Sequence, residues 1–139
     1  MTLTPIRIAA AVISDRLGRV LLVRKRNTRF FMQPGGKVDA AETPVMALVR
    51  ELREELGCTV VAAAPWGVFS APAANEPGRD VEAVLFGVEI AGEVAAANEI
   101  QEIIWAEPRH SEDLPLAPLT RDHVLPLVRS RMGQTGNNR

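Results

Sequence analysis

The sequence has a single cysteine, Cys58, among 139 residues. It therefore forms no disulfide within the chain and holds no multi-cysteine zinc site, and this usage fits a reducing compartment. Tyrosine is absent altogether. Charge of one sign is not in excess either: 16 basic against 17 acidic side chains leave a formal net charge of −1. That balance argues against a nucleic-acid polymer or an anionic membrane as partner, so any phosphate recognition must be local. No stretch approaches the roughly 18 to 20 apolar residues needed to span a bilayer. The apolar opening, residues 1–14, has no basic segment ahead of it and is interrupted by Arg7, which is unlike a secretory signal. A cytoplasmic protein is expected. Internal repeats and dividing linkers are also missing. What remains is 47% apolar and 24% charged residues, a globular composition. One domain over residues 1–132 is expected, followed by a frayed polar tail at 133–139.

The apolar segment 7–14, the turn residues Asp15 and Gly18, and Val20-Leu21-Leu22-Val23 read as two strands joined by a hairpin. Residues 27–41 lose periodicity around Pro34, Gly35 and Gly36 and read as a structured loop. A helix follows, with Thr43 as N-cap, Pro44 at its first position and Gly57 as its end. Val45, Leu48, Val49, Leu52 and Leu56 form its apolar stripe. Residues 59–69 and 80–90 read as strands around a loop at 71–78, and a shorter strand is expected near 103–106. After a loop at 108–118, Thr120 can cap a second helix running to about Arg131 despite Pro126. The elements define a mixed α/β domain.

Glu51, Glu54 and Glu55 share one flank of the first helix at i, i+3 and i+4. Like charges at this spacing repel by a few tenths of a kcal/mol per pair. Two resolutions are open. Arg50 and Arg53 neutralise a solvated face, or the carboxylates meet a hard divalent cation such as Mg²⁺ or Mn²⁺. The run Gln33-Pro34-Gly35-Gly36-Lys37 just ahead favours the second, because glycines let backbone amides and carbonyls approach a metal or phosphate.

From Gly36 the chain reads five residues, Glu42, seven residues, then Arg50-Glu51-Leu52-Arg53-Glu54-Glu55-Leu56-Gly57-Cys58. This resembles the Nudix box at every specified position, with Cys58 as the closing small hydrophobe. Seven specified residues at average usage coincide by chance with a probability of about 10⁻⁹ per starting point. The resemblance implies an α/β/α sandwich with a mixed, curved sheet between the box helix and a C-terminal helix. It implies a divalent-metal-dependent hydrolase (Mg²⁺ or Mn²⁺) acting on a small-molecule nucleotide, a nucleoside diphosphate linked to another group. Water attacks one phosphorus of the pyrophosphate.

Carried onto this sequence, the resemblance makes Glu51, Glu54 and Glu55 the metal-facing carboxylates, with Glu54 and Glu55 as direct ligands. The carbonyl of Gly35 or Gly36 completes part of the shell. Arg50 orients a box glutamate, either Glu54 at i+4 or Glu42 across the loop. Glu99, in the acidic stretch with Glu102 ahead of the strand bearing Trp105, is a further metal ligand or base. The catalytic set is thus Glu51, Glu54, Arg50 and Glu99. On the substrate side stand Arg24 and Lys25, which alternation sends to opposite faces, with Gln33, Gly35, Gly36 and Lys37. Phe30 and Phe31 are candidate walls of a base pocket, and Asn75 and Glu76 candidate contacts. Cys58 reads as an inert buried thiol, and His110 and His123 as surface or packing residues.

Without tyrosine, the chain lacks the downstream residue associated with dinucleoside-polyphosphate hydrolases. Pro72 falls near the proline often found in ADP-ribose pyrophosphatases. The short architecture is most similar to mutator-type nucleoside triphosphate pyrophosphohydrolases, which release a nucleoside monophosphate and pyrophosphate. ADP-ribose or nucleotide-sugar hydrolysis and a non-catalytic nucleotide-binding module are the alternatives. A homodimer is left open.

Overall fold

Alternation along two apolar strands organises the molecule. In the computed structural model, which describes residues 3–137 and side chains as far as Met132, β1 (Ile6–Val12) and β2 (Val20–Lys25) are buried on both faces. Ala9, Ala11, Ile13, Leu21 and Val23 join Leu48, Leu52 and Leu56 of helix α1 (Pro44–Leu56) in one core. Ala10, Val12, Val20 and Leu22 join Val124, Leu125 and Val128 of the C-terminal helix in the other. The strands thus sit between two helical layers, and a continuous apolar run is what such burial requires. The α/β/α sandwich expected from sequence is the fold.

Its sheet is divided in two. Four strands run β3 (Gly35–Lys37), β1, β5 (Asp80–Ala91), β4 (Thr59–Pro72), with β1 and β5 parallel and the other pairs antiparallel. β2 pairs instead with β6 (Ile100–Ala106). The expected β1–β2 hairpin is therefore only a turn. Leu21 N–H bonds the Ile13 carbonyl and Asp15 N–H the Arg19 carbonyl, after which each strand leaves for its own sheet. β3, expected as loop, pairs Gly35 and Gly36 with Ala10 and Ala9.

Helix α1 has the expected ends: Thr43 Oγ1 accepts from Met46 N–H, and Gly57 closes the helix at φ 71°. Its buried face is rotated from the expected stripe. Val45 is 41% exposed and Val49 only half-buried, while Ala47 and Glu55 are buried beside Leu48, Leu52 and Leu56. A carboxylate thus takes a place the apolar pattern assigned to none.

Thr120 is no cap. It lies fully buried in a π-helical turn, Thr120–Val124, that leads without a break into α2 (Leu125–Asn137). Pro126 has no N–H to give the Asp122 carbonyl, and the wider turn just before it absorbs that loss. The helix continues through residues 133–137, and residues 138 and 139 of the expected tail lie outside the described part.

Candidate active site

The site forms where β3, the start of α1 and the chain before β6 meet. Gly35 has φ 143°, and a Cβ there would lie 2.1 Å from the Ala9 carbonyl oxygen, so β3 presses against β1 as only glycine allows. Gly36 serves a different contact: a Cβ on it would lie 2.5 Å from Glu51 Cδ. Removing side chains at both positions brings the loop backbone under the carboxylates of α1.

Glu55 is the deepest of these at 1% exposure. Its Oε1 accepts from Gly35 N–H at 3.0 Å, and among the described residues its Oε2 has no partner. Burial lifts its carboxyl to about 8, with Glu51 and Glu99 adding to the shift and the Gly35 N–H and Lys25 ammonium opposing it. One oxygen each from Glu51, Glu55 and Glu99 lie within 4.8 Å of one another. A buried carboxylate oxygen without a partner, in a cluster of three acids, is the donor set a hard divalent cation takes. The residues fit Mg²⁺ or Mn²⁺.

Two devices hold the cluster. Arg50 clamps Glu42 with two 2.8 Å bonds, from Nε to Oε2 and from Nη2 to Oε1. It also reaches Glu51 Oε1 through Nη1 at 2.7 Å and the Lys37 carbonyl at 3.1 Å. The guanidinium pulls the Glu42 carboxyl down to about 2. Of the two expected partners of Arg50, Glu42 receives the fork, and Glu54 stands 3.7 Å away. The second device is the segment ahead of β6. Ala95 and Ala97 N–H groups cap the carbonyls of Leu56 and Glu55 at 3.2 and 3.0 Å, and Asn98 then turns at φ 56°. Glu99 is thereby set beside Glu55, across from Lys25 Nζ at 3.4 Å.

Glu54 is outside this cluster, its side chain 47% exposed and, among the described residues, its one ion pair the long contact to Arg50. Lys25, Gly35, Gly36, Lys37, Asn75 and Glu76 line an open cleft of about 350 Å³ beside the acids. Lys37 meets Glu76 there at 3.5 Å. Arg24, on the opposite face from Lys25 as alternation requires, turns away to Glu102 and the Thr28 carbonyl and does not line the cleft. Neither Phe30 nor Phe31 lines this cleft: Phe31 is in the core, and Phe30 lies under the Arg29 guanidinium. Gln33 does line the cleft, bonded to Thr120, which the sequence pattern marks only as a helix cap. Cys58 is buried with its thiol pushed up by burial, and His123 packs on the Phe69 ring.

Residues 4–128 match the NUDIX domain, and the chain belongs to that family. It is 44% identical over 62 residues to the 8-oxo-dGTP diphosphatase of Haemophilus influenzae, covering 42% of this chain and 46% of that protein. It is 32% identical over 98 residues to the ADP-ribose pyrophosphatase of Methanocaldococcus jannaschii, covering 68% and 58%. It is 33% identical over 118 residues to the CTP pyrophosphohydrolase of Escherichia coli, covering 81% and 84%. The chain thus spans about half the length of the first two. The crystal structure of the MutT protein from Methanosarcina mazei Go1 superposes with a TM-score of 0.77 at 24% identity, over 95% of this chain and 99% of that one, and shows the shared fold.

Proposed function

We propose that this chain is a single-domain, divalent-metal-dependent pyrophosphohydrolase that cleaves nucleoside triphosphates to a nucleoside monophosphate and pyrophosphate, in the cytoplasm. The observation that carries the reading is the buried Glu55 oxygen that has no partner among the described residues, grouped with Glu51 and Glu99, the last of which lines a cleft that also presents Lys25 and Lys37. Glu51, Glu55 and Glu99 hold the cation. Bound there, Mg²⁺ or Mn²⁺ supplies neutralisation of phosphate charge and a lowered pKa for water. Lys25 and Lys37 receive the outer phosphates, and the Gly35-Gly36 backbone keeps the substrate close to the acids. Arg50 acts through others: it positions Glu51 and ties the helix to the loop through Glu42 and the Lys37 carbonyl. Among the described residues Glu54 has no short hydrogen bond, which leaves its carboxylate to accept the proton of the attacking water.

The relatives named for 8-oxo-dGTP and CTP support a triphosphate substrate, and the relative named for ADP-ribose supports the second reading. The complete box, with every acid in place, favours catalysis over mere nucleotide binding. A screen of nucleoside triphosphates, oxidised nucleotides, ADP-ribose and nucleotide sugars with Mg²⁺ and Mn²⁺ tests this, wild type beside Glu54→Gln and Glu55→Gln. Metal-dependent release of pyrophosphate, lost in both variants with the fold intact, is expected. Nucleotide-dependent thermal stabilisation without turnover would instead identify a binding module.

A further inference from the structure

The cleft has a second end, chemically unlike the first. It adjoins an apolar recess lined by Ile8, Ala10, Met32, Pro72, Ala117 and Leu119, the first three of which line the cleft as well. One amide stands in it. Gln33 is 6% exposed and lines both the open cleft and the recess. Its Oε1 accepts from the Thr120 hydroxyl at 2.8 Å. Its Nε2 is buried and, among the described residues, has no hydrogen-bond partner. A buried donor left unpaired among apolar side chains is costly, about as costly as losing a hydrogen bond, unless a ligand supplies the acceptor.

We infer that Gln33 is a specificity-determining residue whose Nε2–H donates to a carbonyl oxygen of the substrate's base, with Thr120 as the positioning residue that aims it. This rests on the nucleotide hydrolase reading and narrows it. The apolar recess takes a heterocycle, and the Nε2 donor selects one that carries an exocyclic oxygen. Guanine, hypoxanthine and the pyrimidines carry such an oxygen; adenine does not. Adenosine derivatives, ADP-ribose among them, leave the donor unpaired and are the disfavoured substrates. A site built to bond a polar group rejects an analogue lacking it far more strongly than an apolar pocket rejects a change of size.

The test uses two triphosphates that differ at purine C6, inosine triphosphate and purine riboside triphosphate. In wild type, kcat/KM for the first should exceed that for the second by about tenfold or more. Gln33→Leu and Gln33→Met should each bring the ratio to about one, chiefly through KM. Thr120→Val should lower the ratio, and Thr120→Ser, which keeps the hydroxyl, should retain it. Circular dichroism melts identify any variant that fails to fold, and the two Gln33 variants keep one measurement available. A wild-type ratio near one, a reversed ratio, or a ratio that survives in the Gln33 variants would overturn the inference. Absence of turnover would sink the hydrolase reading by itself. Calorimetric dissociation constants for the same two nucleotides would then report the discrimination independently, with the same outcomes for and against.

Discussion

Gly35 N–H donates to Glu55 Oε1 at 3.0 Å, and that bond leaves Glu55 Oε2 buried with no hydrogen-bond partner among the described residues. The loop thus satisfies one oxygen of the deepest box acid and reserves the other. Lys25, Glu51 and Glu99 are the charged groups that act on it, and burial dominates them all.

A pH dependence follows from this pairing. The Glu55 carboxyl is raised from its ordinary 4.5 to about 8 in the metal-free fold. Its stabilising contribution is complete below about 4.5 and is lost as pH rises through about 8, where the buried group must ionise. The melting temperature of metal-free protein should fall between pH 5 and pH 9, and Glu55→Gln should flatten that slope. Binding of Mn²⁺ at pH 6.5 should release a proton, measured as a buffer-dependent calorimetric enthalpy. A buffer-independent enthalpy would show that this acid is already ionised.

The two adjacent glycines should fail differently. At Gly35 an added Cβ meets backbone, the Ala9 carbonyl, at a φ that side chains avoid, so Gly35→Ala should cost about 3 kcal/mol or more in urea unfolding. At Gly36 it meets the movable Glu51 carboxylate. Gly36→Ala should therefore unfold nearly as wild type while its kcat drops by about tenfold or more, as expected when a metal-facing acid is displaced. Equal stability losses in the two would contradict this division of roles.

Arg50→Lys keeps the charge and loses the fork. A lysine cannot bond both Glu42 oxygens and still reach Glu51 and the Lys37 carbonyl. Weakening of Mn²⁺ binding by about 10- to 100-fold is expected, the usual scale for losing a residue that orients metal ligands. Unchanged Mn²⁺ affinity would reduce the clamp to a surface ion pair.

Local signals were legible where local physics decides. Thr43, Pro44 and Gly57 marked α1 because capping is settled within a few residues. Box spacing brought out Glu51, Glu55 and Arg50, and the acidic stretch before β6 brought out Glu99, which the structure places beside them. Long-range pairing was not legible. Nothing in residues 7–25 says that β1 and β2 part after one turn, since both sheets want the same apolar strands. The apolar stripe on α1 does not mark its buried face, because burial of Glu55 depends on the Gly35 amide reaching it from another element. Thr120 looked like a cap because Ser and Thr commonly are caps; its partner, Gln33, lies 87 residues away.

The most direct measurement is an anomalous difference map from crystals grown with Mn²⁺ and a non-hydrolysable nucleoside triphosphate. The account predicts a peak coordinated by Glu51, Glu55 and Glu99 beside the Gly35-Gly36 backbone, with the phosphates between it and Lys25 and Lys37. Manganese and phosphates bound at a different place, with the Glu55 carboxyl still buried and unligated, would contradict it.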